Sequence, residues 1–159
     1  MPSWASGISR RKFSDARASH RLRRSVRLQM HSEKEQYMSK KILIVDDSAA
    51  IRQSISFILS QEGYETLEAT DGLEALKTLN SIDALDLIIT DVNMPNLDGI
   101  GLIRKTRELA KYKFIPILVL TTESQGSKMN EGKEAGATGW IVKPFNADKL
   151  LGIVKKIVE

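Results

Sequence analysis

Cysteine is absent from the 159 residues, which excludes disulfides, thiolate nucleophiles and cysteine-ligated metals. Histidine occurs only as His20 and His31, upstream of the first regular apolar run, so the region that follows has no imidazole for base catalysis or zinc binding. No uninterrupted apolar run approaches the roughly 18 residues that a membrane-crossing helix needs, and the first residues lack the apolar core of a secretion signal. A cytoplasmic protein with no membrane contact is expected. What is present is ordinary for one globular domain: 42% hydrophobic and 28% charged residues.

The net charge of +4 is unevenly spread. Residues 1–37 hold nine Lys/Arg (Arg10, Arg11, Lys12, Arg17, Arg21, Arg23, Arg24, Arg27, Lys34) against Asp15, Glu33 and Glu35, a net of +6. That leaves 15 Lys/Arg and 17 Asp/Glu downstream, a net of −2. The upstream segment is rich in Ser and Arg, with no steady apolar period. It cannot bury enough surface to offset its ordering entropy and is expected to be unstructured. Three readings of it stay open: an upstream stretch outside the natural product, which would start at Met38; a basic arm touching nucleic acid or acidic lipid; or a transit peptide. Residues 38–159 form the predicted domain, which offers no basic surface for nucleic acid.

From residue 41 the pattern becomes regular. Short apolar runs occur at Ile42–Val45, Leu87–Ile89, Ile115–Leu120 and Trp140–Val142, with a more polar Tyr64–Ala69 between the first two. Runs this short and rich in β-branched residues predict strands buried on both faces. Helical spacing fills the gaps. Ser48 can cap a helix carrying Ile51, Ile55, Ile58 and Leu59, with Gly63 at its end. Asp71 and Glu74 resemble a capping box ahead of Leu73, Leu76 and Leu79. Asp98 can cap a helix carrying Leu102, Ile103 and Leu109, and Asn146 one carrying Leu150, Leu151, Val154, Ile157 and Val158. A polar helix is predicted over Gln125–Ala135, ended by Gly136.

Five strands alternating with five helices predict an open parallel sheet covered on both faces, with its site beyond the carboxyl ends of the strands. Asp46 and Asp47 then follow strand one, Asp91 strand three, Thr121 strand four and Lys143 strand five. Each alone has a duller explanation: an Asp after a strand is often a helix cap, Thr121 a strand-end hydroxyl, Lys143 a solvated charge. Their conjunction at one edge argues for one site. Asp71, Asp83 and Asp86 are assigned to caps and surface charge.

Ile44-Val45-Asp46-Asp47-Ser48, Thr90-Asp91-Val92-Asn93-Met94-Pro95, Leu120-Thr121-Thr122 and Val142-Lys143-Pro144-Phe145 resemble the signatures of two-component response-regulator receiver domains. The resemblance covers residues 39–159. Thr121-Thr122-Glu123-Ser124 and Gly136-Ala137-Thr138-Gly139-Trp140 are similar to the single-domain chemotaxis regulators of the CheY class. The resemblance implies a flavodoxin-like, doubly wound five-stranded parallel sheet of order 2-1-3-4-5 with five helices.

Three carboxylates in one pocket repel, by about 4 kcal/mol per pair of unit charges at ~4 Å and an effective dielectric of ~20. Lys143 offsets one of the three charges. A divalent cation would offset the other two, and oxygen ligands with water suit Mg²⁺. The resemblance implies that Asp47 and Asp91 meet the metal through carboxylate oxygens, Asp46 through water and Asn93 through its carbonyl. It further implies that Asp91 is the phosphoacceptor, with Lys143, the Thr121 hydroxyl and the Asn93 and Thr122 N–H groups holding the phosphoryl oxygens. Lys143-Pro144 is a candidate cis bond.

The domain has no histidine, so the donor must be external, as in a partner histidine kinase. The resemblance also makes Thr121 and Trp140 the switch pair, although most relatives carry Tyr or Phe where Trp140 stands. It makes Asn93 and Glu123 tuners of phosphoryl lifetime, and strand five with Gln125–Ala135 and Asn146–Val158 the output face. The expected role is a monomeric, phosphorylation-activated signalling switch in chemotaxis, acting on a target such as a flagellar motor switch component. Such a protein is not an enzyme with turnover; it promotes its own phosphorylation and dephosphorylation. A phosphorelay intermediate or a phosphate sink would use the same residues. A haloacid-dehalogenase-type phosphatase would want an Asp where Asn93 stands, and a flavodoxin-like electron carrier would not place acids where a flavin phosphate must bind.

Overall fold

Ile42 and Ile44 turn to one side of their strand, Leu43 and Val45 to the other, and all four are buried. Such a run must lie between two layers. It forms β1 (Lys41–Val45), and the same double burial holds for β3 (Leu87–Thr90) and β4 (Ile117–Thr121). β2 (Glu65–Ala69) and β5 (Gly139–Val142) are less buried, as befits edges. All pairings are parallel, in the order β2-β1-β3-β4-β5. This is the flavodoxin-like, doubly wound sheet expected from the sequence. The computed structural model describes residues 39–159 and, upstream, Arg21, Arg23, Arg24, Ser25 and Arg27, which are helical and exposed. The rest of residues 1–37, with the readings attached to it, lies outside the described residues.

Downstream of Lys40 the helices are α1 (Ala49–Gln61), α2 (Gly72–Ser81), α3 (Gly99–Glu108), α4 (Gly126–Ala135) and α5 (Ala147–Val158), with a 3-10 turn at Ala110–Tyr112. Ile42, Ile44 and Leu120 pack with Ile55 and Leu59 of α1 and Leu150 and Val154 of α5. On the other face Leu43, Val45 and Val119 pack with Leu79 of α2 and Leu102 and Ile103 of α3. Each such side chain contributes about 1.5–3 kcal/mol on burial. That exceeds the roughly 1 kcal/mol of a helix cap, so packing rather than local propensity dominates the sheet. Among the described residues no helix is long and apolar enough to cross a membrane.

Ser48, Asp71, Asp98 and Asn146 cap α1, α2, α3 and α5 as expected, each accepting a first-turn N–H. Gly63 (φ 85°) and Gly136 (φ 111°) occupy the left-handed positions that end α1 and α4. Three local expectations need correction. Glu74 accepts from the Thr70 N–H (3.1 Å) and the Thr70 hydroxyl, so the capping box reaches one residue further back, where two donors are available. Leu73 is 48% exposed; Gly72 takes the inner face, because a Cβ there would lie 2.7 Å from the Leu97 carbonyl oxygen. β4 begins at Ile117, since Pro116 has no N–H to give the ladder, although its carbonyl still accepts from Ile88 (3.1 Å).

Candidate functional site

β1 and β3 are neighbours, yet the chain leaves β1 for α1 on one face and β3 for α3 on the other. The diverging connections open a crevice at the carboxyl edge. Backbone bonds fix what lines it: the Asp46 N–H donates to Ala69 (3.2 Å), the Asp91 N–H to Val45 (2.9 Å) and the Lys143 N–H to Thr121 (2.7 Å).

Lys143 Nζ donates to Asp46 Oδ2 at 2.8 Å and to Asp91 Oδ2 at 3.3 Å. The remaining oxygens are also held. Asp46 Oδ1 accepts from the Ser48 N–H (2.9 Å) and Asp91 Oδ1 from the Val92 N–H (2.7 Å). Asp47 is exposed, and one carboxylate oxygen from each of Asp46, Asp47 and Asp91 lies within 4.8 Å of the others. Burial, the largest single influence on Lys143, disfavours its charge, but the Asp46 hydrogen bond and the Asp91 and Asp46 charges together hold the ammonium above its ordinary pKa. The Lys143–Pro144 bond is cis.

The donor set fits a hard divalent cation. Three carboxylates face one ammonium, all available ligand atoms are oxygens, and the exposed Asp47 has no cationic partner among the described residues. Asn93 and Thr122 are exposed, and among the described residues neither N–H donates to a protein acceptor.

Thr121, fully buried, is placed differently from the carboxylates. Its Oγ1 accepts from the Glu123 N–H (3.2 Å) and makes no hydrogen bond to Asp91 or Lys143. The Glu123 carbonyl in turn accepts from the Trp140 indole N–H (3.1 Å). Trp140 pairs in register with Val119, two residues before Thr121, so both side chains lie on the same face of the sheet.

The contacts of four residues escaped sequence reading. Arg52 Nη1 donates to the Asp46 carbonyl (2.7 Å) and pairs with Glu68 (3.4 Å). Asn96, at φ 67°, donates to Asp71 Oδ2 (2.7 Å) and ties the loop after Asp91 to the start of α2. Gly99 lies so close to the strand end that a Cβ would fall 2.0 Å from the Asp91 carbonyl oxygen. Gly132 has a comparable relation to Trp140. The glycine after the Asp98 cap was the only visible signal for any of these, since the contacts depend on how the chain turns and packs rather than on a local pattern.

The family profile described as "Response regulator receiver domain" matches residues 42–155. Chemotaxis protein CheY1 of Helicobacter pylori is 40% identical over 111 residues, 69% of this chain and 90% of that protein. Among solved structures, Vibrio cholerae chemotaxis protein CheY4 superposes with a TM-score of 0.71 at 47% identity, covering 75% of this chain and 98% of that one. The receiver domain of a Pseudomonas aeruginosa sensor histidine kinase, solved with a magnesium ion coordinated in its active site cleft, gives 0.69 at 26% identity, covering 76% and 98%. With the acidic crevice at the sheet's switch point and a profile match over most of its length, this chain belongs to the response regulator receiver domain family.

Proposed function

We propose that the protein is a phosphorylation-activated switch whose phosphoacceptor is Asp91. The observation that carries this reading is the Lys143 ammonium shared between Asp46 and Asp91 with Asp47 alongside. An Asp91 carboxylate oxygen gives an electron pair to the phosphorus of an external donor, a phosphohistidine or an acyl phosphate. The donor's P–N or P–O bond breaks, its electrons leave with the donor, and an aspartyl phosphate remains. Lys143 follows the charge as it shifts to the phosphoryl oxygens, and the Asn93 and Thr122 N–H groups are free to do the same. Mg²⁺, when bound, supplies positive charge at those oxygens and relieves the carboxylate repulsion; Asp47, Asp91 and the Asn93 carbonyl would hold it, with Asp46 acting through water.

The signal then passes through Glu123. A Thr121 hydroxyl that turns to a phosphoryl oxygen releases the Glu123 N–H, and the same residue's carbonyl is the acceptor for Trp140. That chain of two bonds supports strand β5 with α4 and α5 as the output face. The chemotaxis proteins among the relatives favour a histidine kinase as donor and a flagellar motor component as target. Attack of water on the phosphorus breaks the P–O bond to Asp91, releases inorganic phosphate and restores the carboxylate; in this reading Asn93 and Glu123 border the water's path. Replacing either should change the dephosphorylation rate while leaving the acyl-phosphate reaction intact, which a time course of the phosphorylated fraction would measure.

Intact mass after incubation with Mg²⁺ and acetyl phosphate tests the central step. The expected outcome is a gain of one phosphoryl group that needs the metal and is lost in Asp91→Asn. A gain that survives Asp91→Asn would refute Asp91 as acceptor, and no gain in the parent protein would refute the switch.

A further inference from the structure

Glycine inside a helix is unfavourable because it loses more backbone freedom than any other residue on folding. α4 is poorly placed to tolerate one: it has no side-chain N-cap bond, and among its residues only Gly132 is buried. A compensating reason must come from outside the helix. It lies on β5, where the Trp140 ring occupies the space that a side chain at 132 would need. A Cβ on Gly132 would fall 2.5 Å from Trp140 Cζ3, 3.3 Å from Cε3 and 3.5 Å from Cη2.

We infer that Gly132 is a positioning residue for Trp140, forming the seat that holds the indole against α4 with its N–H on the Glu123 carbonyl. Two independent restraints thus fix the ring, one on its benzene edge and one on its nitrogen. The seated ring also walls a groove of about 310 Å³ lined by Met129, Lys133 and Thr138 among others, so the seat sets the shape of the candidate output face. The seat is a matter of packing alone; its part in signalling rests on the reading of Trp140 as the reporter of Asp91 phosphorylation.

The sign of a stability change separates this seat from an incidental contact. At an unencumbered helical position Gly→Ala raises stability, by roughly 4 °C in Tm for a domain of this size. Thermal melts of the full chain, of Gly132→Ala, of Trp140→Phe and of the double variant make a cycle. Gly132→Ala is expected to lower Tm or leave it unmoved while Trp140 is present. In the Trp140→Phe background it should raise Tm, because the smaller ring lacks the conflicting edge. In a Trp4→Phe background, indole emission then reports position 140 alone. There Gly132→Ala should shift the emission to longer wavelength, increase acrylamide quenching and shrink the emission change on addition of Mg²⁺ and acetyl phosphate.

An equal rise of Tm with and without Trp140, together with unmoved emission, would overturn the seat. Intact mass on the same samples keeps the two readings apart. Phosphorylation that persists in Gly132→Ala while the emission response shrinks supports a positioning role; an undiminished response would overturn it. Loss of phosphorylation in the parent protein would sink the switch, while the melts and the resting emission would still decide the seat.

Discussion

Gly99→Ala should be among the most damaging single-methyl additions in this protein, lowering stability by about 3 kcal/mol. A Cβ there would lie 2.0 Å from the Asp91 carbonyl oxygen and 2.9 Å from the Asp91 carbonyl carbon and Val92 Cα. Every one of those atoms is backbone, so no rotamer change can relieve the overlap. The Gly99 N–H also donates to the Val92 carbonyl at 2.8 Å, and the Gly101 N–H donates to Asp98 Oδ1 at 2.7 Å, which pins the start of α3 against the loop. Relief therefore requires moving the loop or the helix end, and either displaces Asp91. A misplacement of ~1 Å at a reacting group can reduce rate about 10²-fold. The urea unfolding midpoint and the rate of phosphoryl gain from acetyl phosphate should fall together. A denaturation midpoint equal to the parent's would show that the helix end yields freely and would remove glycine's role here.

The same residue shows where the sequence stops being legible. β1, β3 and β4 announce themselves because burial on both faces needs continuous apolar runs, and the apolar runs are local. Asp46, Asp47, Asp91 and Lys143 are legible for a related reason: a parallel sheet carries every strand end to one edge, so position after a strand already implies proximity. Gly99 can be recognised only as a residue after a cap, because its meaning depends on a carbonyl eight positions earlier brought close by the turn. Gly132 and Trp140 lie on different elements, and no local pattern states that a ring on β5 fills the space beside α4. Leu73 fails in the opposite direction. It sits at the right spacing for the buried stripe of α2, but the inner face at that end must admit Leu97, which only Gly72 allows.

Thr121 carries a subtler lesson. Its place at the end of β4 is legible, and the resemblance leads its hydroxyl to be expected at the phosphoryl group. In the structure that hydroxyl serves the Glu123 N–H instead. That bond satisfies a buried hydroxyl that without any partner would be unfavourable by about 1–3 kcal/mol, so the expected phosphoryl contact would require the hydroxyl to turn away from Glu123.

Lys143→Met should produce the largest charge effect. Asp46 and Asp91 have side chains only 4% and 12% exposed, and the ammonium is the cation they share. Removing one partner of a buried pair leaves uncompensated charge, an expected loss of about 3 kcal/mol near neutral pH. The pH dependence has a definite shape. The folded pKa of Lys143 is raised above its ordinary 10.5, so its contribution is fully present below the unfolded value and is lost as pH rises through the folded one. The advantage of the parent over Lys143→Met should therefore close at high pH. Mg²⁺ should also narrow it near neutral pH, since a bound cation stabilises the folded state by mass action and relieves the same repulsion. The phosphoryl transfer rate is expected to fall ~10²–10³-fold, as for other groups that stabilise transition-state charge. A stability gap that is flat with pH and indifferent to Mg²⁺ would mean that Lys143 acts by packing its stem, and the charge argument for the site would fail with it.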